Sequence, residues 1–199
     1  MKTFTELQEG VYDPNILKAF FMAGGPGSGK SYVVKRTTGG LGLKIVNSDD
    51  VFEKYLLDAI GTLDIREIDP EQRDRIRGRA KRVTAARQAN YIEGRLGLII
   101  DGTGKDFDKI KNQSTRLKQL GYDVHMIFVN TSLDTALEQN AKRPRKLPDS
   151  MVTQLWNDVQ KNIGKFSQLF RRNFIVVDNN MAGEDVFAQV YKQVMSLAK

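Results

Sequence analysis

The chain contains no cysteine. A disulfide framework, a thiolate nucleophile and a cysteine-based zinc site are therefore excluded, and nothing argues for an oxidising compartment. Long apolar runs are also missing. No stretch approaches the roughly 18 residues of a membrane span, and the opening MKTFTELQEG lacks the apolar core of a secretory signal. Internal repeats, low-complexity tracts and linker-like segments are absent as well. The expectation is a cytoplasmic protein with no membrane partner.

What is present fits one compact unit. The 199 residues stand against a prior of about 150 per domain. With 40% hydrophobic and 28% charged residues, the composition is that of a globular protein rather than a disordered one. Lysine plus arginine is 31 and aspartate plus glutamate 24, so 31 − 24 leaves the formal net charge of +7. Such a surplus suits a polyanionic partner, a nucleotide or a nucleic acid. Residues 1–17 read as an N-terminal arm, and 18–199 as a single domain with a small lid around 142–147.

Short β-type runs alternate with longer helical patterns along the chain. The β-type runs are Ala19–Ala23, Leu43–Val46, Leu98–Ile100, Val124–Val129 and Phe174–Val177. Most are continuously apolar, as parallel strands covered on both faces are. Between them, Phe107, Ile110, Leu117 and Leu120 form one stripe, and Met151, Leu155, Val159 and Ile163 another at four-residue spacing. A third, Val186, Val190, Val194 and Leu197, marks a C-terminal helix. This alternation predicts a three-layer α/β domain with a mainly parallel sheet.

The segment Gly24-Gly25-Pro26-Gly27-Ser28-Gly29-Lys30-Ser31 satisfies G-x-x-x-x-G-K-[ST], the phosphate-binding P-loop. Its glycines let the backbone turn several N–H groups inward as an anion nest, and the next helix adds its positive dipole end. Gly25, Pro26, Gly27, Ser28 and Gly29 are thus candidate ATP contacts. Lys30 would reach the β- and γ-phosphates, and the Ser31 hydroxyl would ligate Mg²⁺. With background glycine near 7%, the four specified positions coincide by chance in roughly 1% of chains this long. The motif also follows an apolar strand and precedes a helix-compatible run, the context it requires.

Three further segments stand where strands or helices end. Asn47-Ser48-Asp49-Asp50 follows the second strand; its carboxylates either orient and deprotonate an attacking hydroxyl or cap the helix Val51–Ile60. Asp101-Gly102-Thr103-Gly104-Lys105 follows the third strand; Asp101 there binds Mg²⁺ through water, holds a substrate, or only shapes a turn. Lys142-Arg143-Pro144-Arg145-Lys146 follows the helix Leu133–Ala141, and is either solvated charge or a segment closing over the γ-phosphate. His125, the one histidine, lies within the fourth strand and reads as a structural imidazole. The segment Arg73 to Arg82, with acids at Glu71 and Asp74, reads as a solvated helix face more than a nucleic-acid track.

In this order the motifs resemble two related groups of P-loop kinases, the zeta toxins and the kinase domains of phage polynucleotide kinases. The resemblance spans about residues 19–178. DGTGK and its following helix look like the zeta-toxin segment EGTGR, with Asp101 in place of Glu and Lys105 in place of Arg. NSDD and the stretch from Asn140 through Pro148 look more like the polynucleotide kinase pattern. The resemblance implies five parallel strands in the order 2-3-1-4-5 and cofactors ATP and Mg²⁺. It also implies Asp49 as base toward the acceptor hydroxyl, with Asp50 as the fallback on the substrate side. Arg143 would contact the donor phosphates with Arg145 as its neighbour, and Asp101, Thr103 and Lys105 would hold the acceptor. One position departs: the arginine that polynucleotide kinases place three residues after the base is Phe52 here. The expected activity is transfer of the γ-phosphate of ATP to a hydroxyl of a nucleotide or polynucleotide acceptor. Phosphorylation of a UDP-activated sugar is one alternative, and a nucleic-acid-associated ATPase or nucleotide switch is the other.

Overall fold

A computed structural model describes residues 16–38, 41–64, 68–143, 145–180 and 184–198. The expected N-terminal arm lies almost entirely outside the described residues; of it, Ile16 bridges Leu96 and Leu17 donates its N–H to Arg95 O at 3.0 Å.

Five strands form one all-parallel sheet: β1 (Lys18–Ala23), β2 (Lys44–Val46), β3 (Leu98–Asp101), β4 (Asp123–Asn130) and β5 (Phe174–Asp178). Their spatial order is β2-β3-β1-β4-β5, the order the resemblance implies. The eight helices among the described residues are α1 (Lys30–Thr38), α2 (Ser48–Ile60), α3 (Pro70–Glu93), α4 (Phe107–Gln119), α5 (Leu133–Ala141), α6 (Asp149–Gln160), α7 (Ile163–Phe170) and α8 (Glu184–Ala198).

Alternation within the central strands builds a core on each face. Phe21, Leu98, Val124, Met126 and Phe128 pack against Leu117 of α4 and the α7 aromatics Phe166 and Phe170. Phe20, Met22, Ile99 and Ile127 face the other way, onto Val33 of α1 and Val190 and Val194 of α8. β1 is buried along its whole length because β3 and β4 flank it and helices cover both faces. A third cluster (Val51, Phe52, Leu56, Ile68 and Ala80) fastens α3 to α2 away from the sheet.

Two helical stripes differ from their sequence pattern. Leu120 ends α4 as its C-cap and is 49% exposed, because Gly121 turns the chain before another helical turn can bury it. The pattern from Met151 to Ile163 is two helices. α6 stops at Gln160 and α7 starts at Ile163, with Asn162 buried between them. The buried face of α6 is carried by Val152 and Val159, while Met151 is 45% exposed.

His125 is enclosed in β4, stacked on Phe20 at 5.0 Å. Its Nε2 lies 2.9 Å from Asp123 Oδ2 without hydrogen-bond alignment, and burial pushes its pKa below the usual histidine range.

Phe166 is fully buried, contacting the Phe107 and Phe170 rings under the turn after β3. Phe166→Ala is expected to lower unfolding free energy by about 3–5 kcal/mol. Met151→Ala, on the exposed side of α6, is expected to stay within about 0.5 kcal/mol. Urea titrations of the two variants check the assignment of the α6 and α7 faces.

Candidate active site

The loop between β1 and α1 forms at the carboxyl edge of the sheet, where open α/β folds place ligands. Its shape depends on a close approach. Gly27 has φ +74°, and a Cβ there would stand 2.1 Å from Ala136 O of α5. The rest is held by neighbours. Gly24 N–H donates to Thr103 O at 3.0 Å, and Asn179 Nδ2 donates to Ser28 O at 2.9 Å. Gly25 rests against Trp156, whose indole N–H donates to Thr131 O at 2.9 Å. The Lys30 ammonium donates to Gly24 O at 2.7 Å and Gly25 O at 3.2 Å. Burial pulls its pKa down; Asp101 opposes that, and the charge of Arg143 adds to it. Ser28 Oγ is buried inside the loop without a hydrogen-bond partner.

The second segment is organised by Asn47, N-cap of α2. Its Oδ1 accepts from Asp49 N–H at 2.8 Å. Its Nδ2 donates to Asp50 Oδ1 at 2.8 Å and to Asp101 Oδ2 at 3.1 Å. The helix is therefore capped by Asn47 rather than by either aspartate. Both carboxylates are left at the carboxyl edge beside Asp101. Their environments differ. Burial would raise Asp49, but Arg77 and Arg145, with a contribution from Lys30, hold it below the usual carboxylate range. Asp50 is raised by burial and by Glu53 and Asp49. Asp101 is raised by burial although Lys30 counters, and its Oδ1 is buried without a hydrogen-bond partner. Ser31, Asn47, Asp50 and Asp101 line one cavity of about 440 Å³.

The turn after β3 is pinned from below. Buried Asn162 donates to Gly104 O at 3.1 Å and Lys105 O at 2.9 Å. A Cβ at Gly104 (φ +82°) would stand 2.7 Å from that of Ala23, so the turn sits directly on the end of β1. Thr103 is half-buried, whereas Lys105 is exposed.

The two arginines of the Lys142–Lys146 segment diverge. The charge of Arg143 acts on Lys30 and Asp101. Arg145 turns to α2 instead, with Nη2 3.6 Å from Asp49 Oδ1 and Nε 3.3 Å from Glu53 Oε1. Pro144 lies outside the described residues. Sequence reasoning missed Arg77. In the α3 segment expected to be a solvated face, its guanidinium donates to Asp49 Oδ1 and lies 4.8 Å from the Phe52 centroid. It also missed Trp156, Asn162 and Asn179, lone residues whose partners are remote in sequence, and the role of Asn47 in tying Asp50 to Asp101.

This is the three-layer fold of P-loop kinases, with the loop, three carboxylates and three arginines at one edge of the sheet. The zeta toxin family model matches residues 14–189, and the chain belongs to that family. Among solved structures, it is similar to the PezAT toxin–antitoxin system of Streptococcus pneumoniae, with 17% identity, 98% of this chain and 87% of that one covered, and TM-score 0.59. It is also similar to the shikimate kinase of Bacteroides thetaiotaomicron, with 14% identity, 90% and 97% coverage, and TM-score 0.54. The AvrRxo1-ORF1:-ORF2 complex with ATP gives 14% identity, 90% and 64% coverage, and TM-score 0.63. At these identities the likeness is one of fold. No curated protein matches the chain. No helix among the described residues is long and apolar enough to cross a membrane.

Gly27→Ala forces the loop off Ala136 and demands a left-handed alanine. ATP binding is expected to fall at least about tenfold, a loss of about 1.4 kcal/mol. Gly102→Ala has open space around its new methyl and should bind normally. Titration with a fluorescent ATP analogue, alongside thermal melts, distinguishes loop damage from unfolding.

Proposed function

We propose that the protein is a kinase that transfers the γ-phosphate of ATP to a hydroxyl of a nucleotide or polynucleotide acceptor. The observation that carries this reading is the convergence of the Lys30 ammonium with Asp49, Asp50 and Asp101 at the sheet edge. A cation for the transferred group and a carboxylate for the attacking hydroxyl are the two parts that phosphoryl transfer needs.

In the proposed reaction Asp49 accepts the proton of the acceptor hydroxyl as its oxygen bonds to the γ-phosphorus. The bond from that phosphorus to the β–γ bridging oxygen breaks, and ADP leaves with the electron pair. We assign the base to Asp49 rather than Asp50 because Arg77 and Arg145 favour its ionised, proton-accepting form, whereas burial and the neighbouring Glu53 and Asp49 shift Asp50 upward. Lys30 and Arg143 meet the charge that grows on the phosphoryl oxygens. The N–H groups of residues 25–29 and Ser28 Oγ, which is buried and unpaired, suit the donor phosphates. Mg²⁺ fits the oxygens of Ser31 and, through water, Asp101, whose Oδ1 is buried and unpaired. When bound it would neutralise phosphate charge. Asp101 and Thr103 are then shared between the metal side and the acceptor side of the crevice, with Lys105 at its outer margin.

Family membership favours one second reading, phosphorylation of a UDP-activated sugar at the same base. Transfer of label from γ-labelled ATP to oligonucleotides, mononucleotides or UDP-sugars separates the two acceptors. Release of label only as inorganic phosphate would replace both with an ATPase.

Three substitutions test the roles. Lys30→Ala is expected to reduce transfer by orders of magnitude with the fold intact. Asp49→Asn should preserve ATP binding and reduce transfer about 10²–10⁴-fold; if it stays active while Asp50→Asn is dead, Asp50 is the base. Arg143→Lys should impair turnover nearly as much as Arg143→Ala, because an ammonium cannot make the two-point contact of a guanidinium. Steady-state kinetics read all three.

A further inference from the structure

Arg77 and Arg145 come from different parts of the chain and meet at one aromatic ring. Phe52, only 4% exposed, has the Arg77 Cζ 4.8 Å and the Arg145 Cζ 5.8 Å from its centroid. Both guanidiniums also reach the same oxygen, Asp49 Oδ1. A guanidinium carries five donors in a fixed fork, and stacking on a ring leaves its edge to bind. The Arg145 Nε is buried and, although 3.3 Å from Glu53 Oε1, makes no aligned hydrogen bond. Two preorganised cations with spare donors therefore stand within one side chain of the atom proposed to take the acceptor's proton.

The helix bearing Arg77 adds to this field. From Arg75 to Ile92, α3 carries Arg75, Arg77, Arg79, Lys81, Arg82 and Arg87 and no acidic residue. Arg79 repeats the stacking two residues on, 4.7 Å from the Tyr55 ring. Among the described residues the carboxylates facing the pair are Asp49 and Glu53, each already engaged with one or both of these arginines, and Asp50, on which the charge of Arg145 acts.

Resting on the kinase reading, we propose that Arg77, with Arg145, binds a phosphate on the acceptor next to the hydroxyl to be phosphorylated. Arg77 is thereby a specificity-determining residue. Without that phosphate both arginines stay on Asp49 and occupy the oxygen that the hydroxyl needs. An incoming phosphate offers them an anion with two non-bridging oxygens that can accept from both guanidiniums, and Asp49 Oδ1 is released to the hydroxyl. An acceptor lacking the anion meets a blocked base as well as a missing contact. The geometry selects for phosphate chemistry and is indifferent to whether it belongs to a nucleotide or to a sugar carrying a nucleoside diphosphate.

The test is equilibrium binding, which does not depend on transfer. Protein saturated with a non-hydrolysable ATP analogue is titrated by calorimetry with two matched pairs. These are adenosine against adenosine 3′-monophosphate, and uridine against uridine 5′-diphosphate, the phosphate-bearing part of a UDP-activated sugar. In at least one pair the phosphorylated member is expected to bind about 10- to 100-fold more tightly, the range of a charge-assisted pair of hydrogen bonds. Which pair responds identifies the source of the phosphate. Arg77→Gln should erase the preference, and Arg77→Lys should keep only part of it. Melting curves verify that both variants fold.

A second readout is the acid limb of the rate against pH, which in Arg77→Gln should move to higher pH. The other groups facing Asp49 are Lys30 and Arg145, which favour its ionised form, and Asp50, Glu53 and Asp101 on the same edge. Equal binding within both pairs, or a preference that survives intact in folded Arg77→Gln, would overturn the proposal. A wild-type protein that binds the phosphorylated member but moves no label from ATP would instead refute the kinase reading.

Discussion

A buried ammonium without a carboxylate hydrogen bond organises this molecule. Lys30 is desolvated and donates to two main-chain carbonyls of its own loop, a weaker arrangement than an ion pair. It stays in place because the loop around it is fixed from four sides: Thr103 after β3, Ala136 of α5, Trp156 of α6 and Asn179 after β5. Each of those supports is placed by the sheet. The order β2-β3-β1-β4-β5 puts the ends of β3 and β4 on either side of β1, so both neighbouring loops can reach the glycines. Stability of the core and readiness of the loop are thus the same property seen at two scales.

The carboxylates follow from that cation. Asp101 sits at the end of the strand beside β1, and Asn47 ties it to Asp50 through one amide nitrogen. Three carboxylates this close cannot all ionise freely. The two tied to Asn47 are shifted up, while Asp49, which Asn47 contacts only through its backbone N–H, is taken over by arginines and shifted down. Separation of neighbouring acids by environment is the usual means by which a site assigns different proton-transfer tasks to chemically identical groups.

The parts legible in the sequence are those in which one segment determines its own conformation. The P-loop is read from glycine and lysine spacing, and the five strands from continuous apolar runs, because burial on both faces leaves that mark. The Asn47 cap, the Asn162 clamp and the Asn179 support are single polar residues, and single polar residues carry no periodic signal. Arg77 is hidden for a different reason. It lies among six other cations on α3, and only docking of α3 onto Val51, Phe52 and Leu56 decides which of them turns inward. The stripe beginning at Met151 misleads because a four-residue spacing drifts around a helix with 3.6 residues per turn. The true break at Asn162 has no proline to announce it, and the nearby Gly164 lies inside α7 rather than at the break.

The divergence of Arg143 and Arg145 connects the two halves of the crevice. They are two residues apart, on a segment anchored where buried Asn140 pairs with the backbone of Leu147 in both directions. Arg143 responds to charge around Lys30, where the donor phosphates are proposed to lie, and Arg145 to Asp49 and Glu53, where the acceptor is proposed to enter. A kinase must keep water from taking the γ-phosphate before its acceptor arrives. Arg77 and Arg145 hold Asp49 Oδ1, so under the proposed reaction a water molecule arriving with ATP alone finds that carboxylate already engaged. The contact that lowers its proton affinity would then also guard it.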